Sequence, residues 1–198
     1  MKKFIAIISV TALLFCFAGC KKDVDTPDTS SAVSAVKYDL DAVLSSGEIP
    51  GVKYNLGVSV NQILADANYD PDADVHDHDE GVTITENENN IRLSYLTSYY
   101  YYEPQKEENG ISSIVDFGTP FDFEIGTTAP DVVKSEFAGV EFTERELTSR
   151  QVYFIPMEIN DCTALTYKKD NRRIDFVFQN DVLIAVNLVD TDNWSIIE

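Results

Sequence analysis

The chain has 198 residues, 44% of them apolar and 11% aromatic, with 15 Lys+Arg against 34 Asp+Glu and a formal charge of −19. That much apolar material supports a packed core and excludes a disordered or fibrous chain. The negative charge argues against nucleic acid as a partner, because phosphate contact needs Lys and Arg, and the only long apolar run lies at the extreme N-terminus, which excludes a multi-span membrane protein.

That N-terminal segment reads as a secretory signal over residues 1–19. Met1-Lys2-Lys3 is a short positive start, residues 4–17 are apolar apart from Ser9 and Thr11, and the small residues Ala18 and Gly19 precede Cys20. The run is shorter than the ~20 apolar residues of a spanning helix. The ending Phe17-Ala18-Gly19-Cys20 resembles the lipobox of bacterial lipoproteins. The resemblance implies that Cys20 is acylated, by palmitate-type chains, and becomes the mature N-terminus. A thiolate is the nucleophile such a transfer needs, and two or more chains hold stably at about 0.8 kcal/mol per buried CH₂. Removing residues 1–19 takes Lys2 and Lys3 and no acid, so the charge moves from −19 to −21. Cys16 leaves with the signal and Cys20 carries lipid, which leaves Cys162 alone and no intrachain disulfide. Stability then rests on the core.

Residues 20–35 follow as lipidated cysteine and polar tether, rich in Ser, Thr and Asp. Residues 36–44 are amphipathic and read as a short helix, broken by the Gly47-Glu48-Ile49-Pro50-Gly51 run. An internal repeat comes next. Residues 56–64 (LGVSVNQIL) align without a gap on residues 125–133 (IGTTAPDVV), 69 positions later. In each copy an apolar residue precedes Gly, and a hydroxyl residue stands two places on. Ser59 with Gln62, and Thr128 with Asp131, read as N-caps partnered at N3. Pro130 falls in the first helical turn, where its missing N–H costs little.

Short β-branched and aromatic segments follow each helix. The first copy offers 82–85, 91–96, 99–103 and 111–117; the second offers 152–159, 164–168, 174–179 and 182–189. Asn180-Asp181 suits a two-residue hairpin turn, residues 103–110 read as a polar loop, and Pro156 belongs at an edge or bulge. The expected class is α+β: two tandem helix-plus-antiparallel-sheet units of about four strands each, 36–118 and 119–198, either separate or sharing one curved sheet. With the two Leu/Ile-Gly-x-Ser/Thr helix starts and the lipobox, this order resembles the tandem repeats of the β-lactamase-inhibitory-protein-like family. Small outer-membrane assembly lipoproteins share its single-unit version. The resemblance implies a protein that binds other proteins and is not an enzyme.

The chemistry-bearing residues are few. The nine glycines form no phosphate-binding loop. The only histidines, His76 and His78, lie in an acidic stretch over residues 70–80. Alternate oxygen donors there suit a hard cation and His-x-His suits Zn²⁺, but Val75 and Gly81 fail the EF-hand pattern. The alternative is a solvated acidic loop. Cys162 beside Asp161 reads as a small buried or edge residue, since a neighbouring carboxylate raises a thiol pKa.

Tyr95, Tyr99, Tyr100, Tyr101 and Tyr102 cluster in one hairpin. In a strand, Tyr99 and Tyr101 share one face and Tyr100 and Tyr102 the other. One pair is expected to be exposed, as a protein-binding surface; the alternative is a half-buried strand rich in a good strand former. The functional expectation is a lipid-anchored, extracytoplasmic protein-binding module without catalytic activity, cofactor or resident metal. Its partners would be the membrane, through Cys20, and another envelope or secreted protein. The acidic body would favour a basic partner, through association rate more than affinity. The second expectation is a divalent-cation-binding lipoprotein using loop 70–80.

Overall fold

The computed structural model describes residues 37–69, 82–86, 90–148 and 161–194. Among the described residues, three short α-helices are set by local chemistry. The first, α1 (Leu40–Ser46), starts where the Asp39 carboxylate accepts the Asp41 N–H at 2.9 Å and stops at Gly47, whose φ of 75° few side chains tolerate. It begins later than the expected 36–44 because that cap fixes its start. Leu40, Val43 and Leu44, at helical spacing, are buried. The second, α2 (Val60–Asp66), is capped as expected, with Ser59 Oγ accepting from the Gln62 N–H at 3.2 Å. The third, α3 (Pro130–Glu136), corrects the expectation. Its N-cap is Ala129, which makes no side-chain cap bond, and the Thr128 hydroxyl donates instead to the Glu124 carbonyl at 2.9 Å. Pro130 occupies the first turn with its φ already helical, so a side-chain cap at Thr128 is not needed to start it.

The described residues form eight strands: β1 (Thr83–Glu86), β2 (Ile91–Tyr95), β3 (Ser98–Tyr102), β4 (Ser113–Asp116), β5 (Thr143–Glu146), β6 (Cys162–Lys169), β7 (Arg172–Gln179) and β8 (Val182–Asp190). They form one sheet in the order β1-β2-β3-β4-β8-β7-β6-β5, antiparallel throughout. The protein is therefore α+β around an eight-stranded antiparallel sheet. The β7–β8 turn is Asn180-Asp181 with φ of 51° and 60°, the pair of positive values that a tight hairpin needs. The polar segment expected as a loop contains a 3-10 turn, Pro104–Asn109.

One strand stands where none is expected. Residues 152–159 and Pro156 lie outside the described residues, and the strand beside β6 is the charged Thr143–Glu146. Apolar alternation cannot reveal it, because an edge strand is free to carry charges that discourage unwanted pairing.

The sheet's two faces differ. The helices cover one face, where Leu40, Val43, Leu44, Val60, Ile63, Val133 and Phe137 meet Leu93, Tyr100, Ile114, Leu165, Ile174, Phe176 and Leu188. Phe121, Phe137, Phe142 and Phe176 pack edge-on or tilted with ring centroids 5.3–6.3 Å apart. Burying each such ring stabilises the fold by about 1.5–3 kcal/mol. On the opposite face Tyr101, Val115, Cys162, Val177, Ile184, Ala185, Val189 and Trp194 make a second apolar cluster. Among the described residues no helix is long and apolar enough to cross a membrane.

Candidate functional site

The tyrosines do not form the open surface that the sequence suggests. Tyr95, Tyr100 and Tyr102 belong to the helix-side core, with Tyr54 stacked near Tyr95 and edge-on to Tyr100. On the other face Tyr101 is 2% exposed and lies 5.6 Å from the Trp194 ring, while Tyr99 is half-buried beside Phe117 and under the Arg92 guanidinium. The reason is that both faces of β3 are covered, so neither tyrosine pair is left open. Burial pushes the Tyr100 phenol up to about 12.

The second face also carries a buried charge cluster that the sequence reading missed. Asp175, on β7, is 2% exposed. Its Oδ1 accepts from Arg145 Nη2 at 3.0 Å and from the Thr166 hydroxyl at 2.7 Å, and its Oδ2 accepts from Arg173 Nε at 3.0 Å. Arg145 Nε also donates to Thr166 Oγ1 at 2.9 Å. The register explains the gathering: Asp175 stands opposite Thr166, and Arg145 stands on β5 two pairs further along, opposite Ala164 and on the same face. Next to it, Ser113 Oγ donates to Asn187 Oδ1 at 3.1 Å, and Asn187 is the cross-strand partner of Asp175. Two guanidiniums around one carboxylate fix strand register.

A groove of about 660 Å³ runs between α3 and the β5–β6 edge. This is within the ~300–1,000 Å³ range of ligand sites. Its lining includes Asp131 and Lys134 from α3, Glu144 and Glu146 from β5, the buried Leu165 and Phe178 of the sheet, and Asp181. Lys134 Nζ pairs with Glu144 at 2.6 Å, and that partner holds the Lys134 ammonium pKa above its ordinary value. Arg145 is turned to the other face by Asp175. The groove is therefore acidic with its two cations already engaged.

The remaining expected sites fall elsewhere. Cys20 and loop 70–80, with His76 and His78, lie outside the described residues. Cys162 is buried, and desolvation with Asp161 nearby pushes its thiol up, consistent with an inert small core residue. Among the described residues no group of three His, Cys, Asp or Glu is placed to hold a metal ion.

No protein-family model matches the chain, and no curated protein sequence matches it. Among solved structures it is similar to a DUF4309 family protein, YjgB, from Bacillus subtilis. That match has 20% identity and a TM-score of 0.44, covering 80% of this chain and 97% of the other.

Proposed function

We propose that this chain is a lipid-anchored, extracytoplasmic protein-binding module without catalytic activity. The observation that carries the reading is the N-terminal sequence: a charged start, an apolar run, and Phe17-Ala18-Gly19-Cys20. A tether of residues 21–35 then separates the lipid from a folded domain that carries an acidic groove.

The finer architecture belongs to the same proposal: two tandem copies of a helix plus a four-stranded meander. The sheet order is what two meanders produce when they join through their last strands, β4 and β8. The turns before α2 and α3 add support. The Gly57 N–H donates to the Ile111 carbonyl and the Ile111 N–H to the Val58 carbonyl. Around Gly126 a similar exchange occurs, with the acceptor one residue further on: the Gly126 N–H donates to the Leu183 carbonyl and the Leu183 N–H to the Thr128 carbonyl. Both glycines have positive φ, 81° and 90°.

Fractionation of cells expressing the chain and a Cys20→Ser variant tests the anchoring. The native chain is expected with the membrane and released by detergent, and the variant in the unanchored fraction or as an unprocessed precursor. Equal, detergent-independent solubility of both chains would overturn the anchoring, and with it the function as stated.

A further inference from the structure

We infer that the groove between α3 and β5 receives an extended segment of the partner protein, added as a ninth strand to β5, with Lys or Arg at every second position. The inference rests on the binding-module reading and names the partner's chemistry.

The backbone supplies the first argument. The Leu147 N–H donates to the Cys162 carbonyl at 2.8 Å, and Glu146 stands opposite Thr163. In an antiparallel ladder, residues alternate between facing the partner strand and facing away. Thr143, Arg145 and Leu147 therefore spend their backbone groups on β6. The N–H and C=O groups of Glu144 and Glu146 point out of the sheet's last edge and have no strand partner among the described residues. Among the described residues nothing pairs with these two donors and two acceptors, the groups that strand addition uses.

The side chains supply the second. Glu144 stands opposite Leu165, whose side chain lies in the helix-side core, so Glu144 and Glu146 face the groove with Asp131. Residues of an added strand that pair with Glu144 and Glu146 would be two apart and would point the same way. Cations at those positions meet the carboxylates, while a second copy of β5 would set glutamate against glutamate. The charge that blunts this edge against self-association thus selects an opposite-sign strand.

The test uses the full chain in detergent and a labelled peptide of sequence Thr-Lys-Val-Lys-Thr-Lys-Val-Lys, read by fluorescence anisotropy. The same peptide N-methylated on alternate backbone amides is the second probe. Binding is expected for the first and not for the second. Glu144→Lys with Glu146→Lys should cost roughly tenfold in affinity, and Glu146→Lys alone a smaller part of it. Glu107→Lys with Glu108→Lys makes the same charge change on the remote Pro104–Asn109 turn and should leave affinity near the native value. Equal unfolding midpoints confirm that all variants fold. No binding, equal binding of the N-methylated peptide, or an equal loss from the remote pair would each overturn the inference. If the anchored chain captures a protein partner and Glu146→Lys leaves that capture unchanged, the groove assignment fails while the binding-module reading stands.

Discussion

At the scale of single residues, the second sheet face turns on Asp175. Its carboxylate answers two guanidiniums and a hydroxyl in a buried place. Asp175→Asn keeps the shape and leaves Arg145 and Arg173 without a counter-charge. Breaking a buried pair from one side costs about 3–5 kcal/mol, and Arg145, a quarter exposed, draws the value toward the lower end. Thr166→Val removes a neutral hydroxyl that bonds both Asp175 and Arg145 but leaves the charges paired, and should cost less, about 1.5–3 kcal/mol. Urea unfolding of both variants checks the order; an Asn variant as stable as the native chain would show that the cluster contributes nothing to stability. Tyr100 gives a pH signature. Burial raises its phenol to about 12, above the ~10 of an unfolded tyrosine, so the folded state holds a proton that the unfolded state releases. The stability it contributes is complete below pH ~10 and falls as pH rises through about 12. Denaturation midpoints at rising pH should drop across that window, and less so in Tyr100→Phe.

At the scale of elements, α1 is held at its C-terminal end. Arg172 Nη1 donates to the Leu44 carbonyl at 2.6 Å and the Ser45 carbonyl at 2.7 Å, satisfying groups that a helix end leaves open. A Cβ at Gly47 would lie 3.0 Å from Leu56 Cβ and 3.2 Å from Arg172 Nη1, which explains the glycine beyond its φ. Arg172→Ala should cost roughly 1–2 kcal/mol. Amide exchange should accelerate in α1 while β7 and β8 stay protected; unchanged exchange in α1 would contradict the role. The elements also show what the sequence discloses. Ser59 before Val60, the Asn180-Asp181 turn, and the alternation of Ile174, Phe176 and Phe178 are local signals, and α2 and β7–β8 appear where they point. The edge strand Thr143–Glu146 was hidden because exposure removes the apolar pattern. The β3 tyrosines misled because strand periodicity says which residues share a face, not whether that face is covered. The groove was equally hidden, since Asp131 and Glu144 meet only through the β5–β6 pairing and the docking of α3.

At the scale of the whole molecule, net charge, groove and anchor bear on one account. Loss of residues 1–19 would make an already acidic chain more so. Such a body at a membrane would draw basic partners at rates that fall with salt, since charges farther apart than about 10 Å are screened at 0.1 M. Lengthening the tether should change reach but leave affinity for a free partner unchanged. The anchor is the claim on which the location, the partner class and the use of the groove all depend. The most direct measurement is mass spectrometry of the N-terminal peptide from chain isolated out of the cell envelope. The account predicts a chain beginning at Cys20, with a diacylglyceryl group on its sulfur. A chain that keeps residues 1–19 with a free Cys20 thiol, or one cut nearby and carrying no lipid, would contradict it.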